Sequence, residues 1–306
     1  MKMQTRVSYP VYSERSNVLY SIVLAFLGSF LYFANPALAV SGKPQNIIST
    51  TVASDEILLT LLTTDEERKR IRAVSTFADN PEFSNLRKSD LTIIPHRVGA
   101  NIEHIVSLKP DLVIAVSYNH PAFLSSLKKL KIPTHIMEGF ESVDDLKRHI
   151  LKIGTLIGEE KKAEQTVQIF LSKLDFWRNK LKDRTTILAV MPDHTLVGKN
   201  TLLNDLLTHV GIQNLANQLG VNSWQKVNEE SLVKINPGFL LTSAEENDTD
   251  HVKKTLSQSP AFRNMKAFKE GKILLVPPSV FSSFSTHIID ICPLIDRNLA
   301  NLTSTF

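Results

Sequence analysis

One cysteine, Cys292, stands in 306 residues. A lone thiol cannot close an internal disulfide or supply the four thiolates of a typical iron–sulfur cluster. Glycine (11) and proline (14) are too sparse for a collagen-like or low-complexity chain. Charge of one sign is also missing. Lys and Arg total 35 against 31 Asp and Glu, a net charge of +4. Part of that excess lies in residues 1–39, where Lys2, Arg6 and Arg15 face only Glu14. The remainder offers no concentrated basic face, which argues against a nucleic-acid partner. No G-x-S-x-G, G-x-x-x-x-G-K, C-x-x-C or H-E-x-x-H occurs, and no G-x-G-x-x-G follows a strand. Local signatures of hydrolysis, phosphate binding, dithiol chemistry and zinc catalysis are thus lacking, and the chain reads as a binder, not an enzyme. What is present is a packing composition, 42% apolar and 22% charged, long enough for one large domain or two medium ones.

The first residues carry an address. Lys2, Arg6 and Arg15 precede an apolar run from Val18 to Phe33, followed by Pro36 and Ala37-Leu38-Ala39. A basic region, an apolar region and small residues two apart make a secretory signal peptide over residues 1–39, cut after Ala39. The alternative is an uncleaved inner-membrane anchor, since the run comes close to spanning a bilayer. No cysteine adjoins the cut, so a lipid-anchored N-terminus is not supported. The expected location is the periplasm. In that oxidising compartment, Cys292 is expected to be buried and inert.

Strands and helices alternate over residues 46–142. Strands are expected at Ile47–Thr51, Ile71–Ser75, Leu91–Ile94, Asp111–Val116 and Ile132–Met137. Ser54 and Asn101 are placed to cap helices, and Pro121 to open one. From Ser142 to Lys182 there is no proline and no strand signal. Apolar residues recur at helical spacing, with Gly154 or Gly158 as the place for a break. Residues 143–182 therefore read as one long connecting helix of about 35 residues and about 50 Å. Alternation resumes over residues 183–306: strands at Thr186–Met191, Phe239–Thr242 and Lys272–Val276, helices at Thr201–Val210, Ser231–Ile235 and His287–Leu299. The fold class is α/β, with two parallel-sheet lobes joined by one long rigid helix and a ligand cleft between them. The halves also echo each other. Glu103 lies seven residues before Pro110 and an apolar strand. Glu230 lies seven before Pro237 and another, at an offset of 127.

Ligands of such proteins sit where the carboxyl ends of strands face a crevice. The residues there include Thr51, Phe77, His96, Arg97 and Tyr118 in the first half. In the second they include Asp193, His194, Lys199, Asn200, Ser243, Glu245 and the run from Ser279 to His287. Arg97 and Lys199 can clamp carboxylate or catecholate groups. Tyr118, Trp224 and Phe281 can stack on a planar ligand, or pack as core. Phe281, among Ser279, Ser282, Ser283 and Ser285, is expected on an exposed loop at the cleft mouth. His96, His120 and His194 follow no metal-ligand spacing, though together with a carboxylate they keep a free-metal reading open.

Several segments resemble one family. They are Asn46–Glu56, Arg97–Ile114, Gly198–Asn204, Gly211–Ala216, Val227–Pro237, Ser259–Phe262 and Gly271–Val276, in the family's order. They are similar to the periplasmic substrate-binding proteins of ABC importers for iron-siderophore, haem or cobalamin, the class III type with a helical backbone. The resemblance implies a monomer that captures an iron complex or a corrinoid, holds no intrinsic cofactor, and hands its ligand to a membrane permease. It implies that Glu103 and Glu230 dock on the permease, one per lobe. Haem binders of this family often carry a tyrosine ligand where His96 stands, so His96 is the metal ligand if the ligand is haem. Similar cobalamin binders place a tryptophan where Arg97 stands. Ferric siderophore therefore ranks first, haem second and cobalamin third. The competing readings are a metal- or cofactor-dependent enzyme, or a membrane-anchored ligand sensor, on the same scaffold.

Overall fold

The computed structural model describes residues 42–245 and 248–303; the signal segment, residues 1–39, lies outside the described residues. The first half runs β1 (Ile47–Ser49), α1 (Val52–Leu61), α2 (Asp65–Arg68), β2 (Ile71–Ser75), α3 (Lys88–Leu91), β3 (His96–Val98), α4 (Ile102–Ser107), β4 (Leu112–Val116), α5 (Pro121–Lys129) and β5 (Thr134–Met137). Two helices follow, α6 (Val143–Ile157) and α7 (Glu160–Leu181). The second half runs β6 (Thr186–Ala189), β7 (Leu196–Val197), α8 (Leu202–His209), β8 (Gln213–Asn214), β9 (Trp224–Gln225), α9 (Glu229–Leu232) and β10 (Phe239–Ser243). It continues through α10 (Thr249–Leu256), α11 (Pro260–Asn264), α12 (Lys266–Lys269), β11 (Ile273–Val276), α13 (Pro278–Phe281) and α14 (Ile291–Thr303).

Two parallel sheets result. One has the order β3-β2-β1-β4-β5 and the other β11-β10-β6-β8; β7 and β9 form a separate antiparallel pair. Reversed, the second order reads β8-β6-β10-β11 and matches β2-β1-β4-β5 strand for strand. The offset of 127 seen in the sequence maps β4 onto β10, five residues on five. The internal repeat is therefore a repeat of topology.

Alternation along the strands divides the core. Ile47, Leu112, Ile114 and Val116 of the first sheet, and Ile187, Ala189, Phe239 and Leu241 of the second, belong to one continuous buried cluster. That cluster also takes in Leu58 and Leu61 of α1, Ile150 and Ile153 of α6, Phe170 and Leu174 of α7, Leu206 of α8, and Ile295 of α14. The opposite faces pack outward. Ile48, Val113 and Ala115 meet Ile105, Phe123 and Leu127, while Leu188 and Leu240 meet Leu232, Val252 and Phe262. Both faces of each sheet are covered, as parallel sheets require.

Four expectations change. The connecting helix is two helices. Gly158 ends α6 in the left-handed region at φ 70°, which glycine adopts without strain. The freed carbonyl of Ile157 accepts from Arg70 Nη2 at 2.5 Å. Arg70 also donates to Pro44 O and pairs with Glu159, so the corner is tied to the first lobe. The longer helix, α7, has 22 residues and spans about 33 Å. Ser54 is not a cap: the helix begins at Val52 after an extended Thr51, and the Ser54 hydroxyl turns inward to Ser49 Oγ at 2.5 Å. The run Leu91–Ile94 closes a helical turn, and the edge strand follows at His96. A short apolar run has no period to separate the two states. The last helix starts at Ile291, so Pro293 sits in its first turn, where a missing N–H costs nothing. Cys292 is fully buried, and burial pushes its thiol up to about 12.

Two carboxyls of α1, Asp55 and Glu56, are buried without a cation. Asp55 in α1 is 0% exposed and accepts from Ser75 N at 3.1 Å and Ser75 Oγ at 2.6 Å. Burial pushes it from 3.8 up to about 7, against the pull of the bonds from Ser49 and Ser75.

Two predictions follow from this packing. A mid-helix Gly→Ala change ordinarily stabilises by about 1 kcal/mol. At Gly154 the added Cβ collides with Ala163 Cβ across the corner, so Gly154→Ala is expected to destabilise by about 1–3 kcal/mol; urea unfolding checks it. Between pH 4 and 7 native Asp55 keeps a proton that the unfolded chain has lost. Its contribution to stability therefore falls as pH rises, by up to about 1.4 kcal/mol per pH unit. His135, which burial holds down at about 4, slopes the opposite way below its ordinary 6.5. The difference between wild type and Asp55→Asn isolates the Asp55 slope: the variant gains on wild type steadily from pH 4 to 7.

Candidate functional site

The carboxyl ends of β4, β5 and β11 and the β7–β9 pair face one another across a cleft of about 210 Å³. Tyr118 and the pair Phe140-Glu141 come from the first half. Asn200, Thr201, Leu202, Leu203, Ser223, Trp224 and the segment Phe281–Phe284 come from the second. The rings form two groups. Phe140 meets Tyr118 at 5.7 Å and Phe284 at 5.2 Å between centroids, and stacks on His149 at 4.9 Å. Trp224 lies 6.2 Å from Phe281. Phe140 thus bridges the halves at the cleft, and His149 holds it in place with its Nε2 at 2.6 Å from Gly139 O.

Backbone geometry sets the opposite rim. Thr201 caps α8 by accepting from Asn204 N. Asn200 and Ser223 both hold positive φ, 56° and 62°. The turns are pinned by Ser223 N donating to Lys199 O at 2.6 Å and Asn200 Nδ2 to Asn222 Oδ1 at 2.8 Å. Non-glycine residues in that region are uncommon and gather at functional sites.

Among the described residues lining the cleft, Glu141 is the one side chain charged at neutral pH. The rest are rings, aliphatic groups, hydroxyls and an amide. The Tyr118 ring is exposed, and partial desolvation pushes its hydroxyl above its ordinary value. The cleft is apolar-faced and neutral to acidic.

Of the residues singled out in the sequence, Tyr118, Trp224 and Phe281 line this cleft, whereas Thr51, the residue before α1, is not among the lining. Phe281 is 1% exposed, not on an open mouth loop, because α13 turns it onto the shared core. Phe77 is exposed and packs edge-on to Phe83 at 5.3 Å, away from the lining. Arg97 is spent elsewhere. It forms a two-pronged pair with Asp79 and donates to Ile94 O at 2.9 Å, and Asp79 is held below its ordinary range by that bond. Lys199 is exposed beside Asn200 and is not among the lining residues. His96 lies half-buried on the edge strand, 6.2 Å from His104. His120 caps α5, and His194 Nε2 lies 3.1 Å from Thr255 O; the three histidines sit apart on separate elements.

Phe140, Glu141, Leu202, Leu203 and Ser223 were not legible as site residues. Phe140 and Glu141 follow β5 directly, so the strand-end rule applied one strand further would have found them. Ser223 needed the β7–β9 pairing.

The repeated helices present a second surface. Asn101 caps α4 and Asn228 caps α9, each accepting from a backbone N–H at 2.9 Å. Glu103 and Glu230 are exposed and make no ion pair among the described residues. Three residues on, Val106 and Val233 are 43% and 74% exposed, again at the offset of 127. Ile105 and Leu232, between them, are buried at 0% and 3%.

Comparison with known proteins gives a consistent result. Residues 47–280 match the periplasmic binding protein family. The chain is 27% identical to the ABC transporter substrate-binding lipoprotein YvrC of Bacillus subtilis, covering 84% of this chain and 80% of that protein. It is 21% identical to a cobalamin-binding protein of Halobacterium salinarum, covering 89% and 72%. In fold it is similar to the periplasmic haem-binding protein RhuT of Roseiflexus sp. RS-1, at TM-score 0.69 and 17% identity, covering 84% and 98%.

Proposed function

The chain belongs to the periplasmic binding protein family, and we propose that it is the solute-binding component of an ABC importer for a bulky, uncharged metal complex. It captures that complex without covalent chemistry and delivers it to a membrane permease. The segment 1–39 directs export, and among the described residues no helix is long and apolar enough to cross a membrane. The domain limits that suit this reading are lobes over residues 46–142 and 183–306 around the α6–α7 connection.

The charge of the cleft carries the ligand class. Relatives include proteins named for binding ferric citrate, ferric anguibactin and cobalamin, so kinship does not choose among these ligand classes. The lining supplies rings for a flat or apolar face, and hydroxyls and an amide for a polar rim. It supplies one carboxylate and, among the described residues, no cation. A tris-catecholate or the propionates of haem would enter uncompensated, which is costly in a partly desolvated cleft. A corrinoid, with neutral amides around its ring, matches the lining, and so does a neutral ferric hydroxamate. The sequence ranking placed ferric siderophore first on the strength of Arg97 and Lys199; with Arg97 held by Asp79 and Lys199 outside the lining, corrinoid moves ahead. Haem falls last, because His96 is off the lining and no cation there meets the propionates.

The docking reading draws on the repeat. A glutamate and a valine three residues apart lie on one face of a helix, once per lobe. Exposed valine has neither packing nor helix propensity to recommend it. Its recurrence supports a partner with two equivalent patches, each basic beside apolar, as a permease with two alike halves presents. The charges set register and encounter rate.

Two measurements test these assignments. In a Trp177→Phe background, tryptophan emission reports Trp224. Titration of the exported protein with cyanocobalamin is expected to quench it saturably, and Trp224→Ala, followed by equilibrium dialysis, to weaken binding at least tenfold. Saturable binding of a ferric tris-catecholate or haemin, with none of cyanocobalamin or a ferric trihydroxamate, would overturn the neutral-ligand reading. In a reconstituted importer, Glu103→Arg with Glu230→Arg is expected to abolish transport while ligand affinity holds. Val106→Ser with Val233→Ser is expected to slow it severalfold. Unchanged transport in the charge-reversed protein would remove docking from these helices.

A further inference from the structure

Glu56 is the second buried acid of α1, 1% exposed, and both of its oxygens are used. Oε1 accepts from Asn85 N at 2.7 Å and from Asn85 Nδ2 at 3.0 Å. Oε2 accepts from the hydroxyl of Ser285. Asn85 Nδ2 donates in addition to Ser279 O at 2.9 Å. Glu56 and Asn85 belong to the first half of the chain, Ser279 and Ser285 to the second. The carboxylate therefore holds one end of the segment 279–285 directly, at Ser285, and the other through Asn85, at Ser279. Inside it, Ser285 N and Ser285 Oγ each lie 3.2 Å from Ser283 Oγ, and His287 N donates to Ser285 Oγ at 3.2 Å.

That segment is a wall of the cleft: Phe281, Ser282, Ser283 and Phe284 all line it.

We propose that Glu56 is a positioning residue for the cleft, a buried carboxylate that locks the 279–285 wall of the second lobe onto the first. A buried charged group is a poor choice for stability alone, since apolar residues of similar volume do as well or better. What a fully satisfied polar cluster adds is a single geometry, because each donor has one place to go. The apolar anchors of the segment, Val280, Phe281 and Phe284, fix its side toward the shared core, but α13 is a single turn of four residues and the serines that follow it are placed by polar bonds. Without the carboxylate, Ser285 and Asn85 lose their common acceptor and the wall is free to shift. The proposal rests on reading this cleft as the binding site, and is independent of which ligand fills it.

Hydrogen–deuterium exchange on the ligand-free exported protein, followed peptide by peptide, decides it. Glu56→Ala is expected to speed exchange over residues 279–287 at least tenfold, with the strands β1, β4 and β10 unchanged. Glu56→Gln, which keeps an acceptor for Asn85 and a polar partner for Ser285, is expected to restore slow exchange. Should Glu56→Ala not fold, Ser285→Ala cuts the inter-lobe bond alone and is expected to speed the same peptides severalfold. Affinity for cyanocobalamin is expected to drop at least tenfold in Glu56→Ala and to recover in Glu56→Gln. Exchange that stays slow over 279–287, or that rises equally across the whole chain, overturns the assignment. Failure of every variant and of wild type to bind cyanocobalamin, with the local exchange effect present, would remove the corrinoid and leave the positioning role intact.

Discussion

The two sheets share one core. Each parallel sheet must cover both faces, and each covers its outer face with its own helices, α4 and α5 on one side and α9 to α12 on the other. The inner faces are covered jointly by α1, α6, α7, α8 and α14. A buried Leu, Ile or Phe contributes about 1.5–3 kcal/mol relative to exposure. Prying the lobes apart by even a few such residues would therefore cost on the order of the whole stability of a domain. The cleft is consequently a notch above a continuous core, and its walls are set before any ligand arrives. A site built this way loses little ordering free energy on binding.

Given that joint core, small polar ties decide where the walls stand. Arg70 anchors the α6–α7 corner to the first lobe through the Ile157 carbonyl and Glu159. Asp205 of α8 accepts from Val143 N at the start of α6, at 2.8 Å. Glu56 reaches across to Ser285. All three use a charged group to catch a backbone or hydroxyl group on a different element, and charge-assisted bonds are the stronger kind. The ring set of Phe140, Tyr118 and Phe284 then fills the space that these ties define.

The internal repeat has a physical meaning that the sequence only hinted at. The same asparagine cap, exposed glutamate, buried Ile or Leu and exposed valine precede equivalent strands in both sheets. A short helix with one apolar stripe must bury it, so the buried positions repeat because the topology does. The exposed positions carry no such obligation. Their repetition is not required by burial, which is what sets them apart from the positions between them.

Fold class was legible in the residues. Near-continuous apolar strands such as Leu112–Val116 and Phe239–Ser243, separated by helical periods and stopped by Pro110 and Pro237, can satisfy both sheet faces in few other ways. The cap at Asn101 and the buried Cys292 were equally local. The helix break narrowed to two glycines, and φ chose between them: Gly154 is needed for close approach to Ala163, Gly158 for a left-handed turn. The strand mistaken at Leu91–Ile94 and the cap mistaken at Ser54 lie where short segments carry too little period to read. The cleft divided the same way. Rings at strand ends could be named from their positions, whereas the fate of a charge could not. Arg97 was a plausible clamp until the fold brought Asp79 beside it, 18 residues away in sequence. Glu56 was an unremarked helix residue until Ser285, 229 residues away, closed onto it. Periodicity is a property of neighbours along the chain and survives in one dimension; the partner of a charge is settled only when distant segments meet, and with it the polarity of the site.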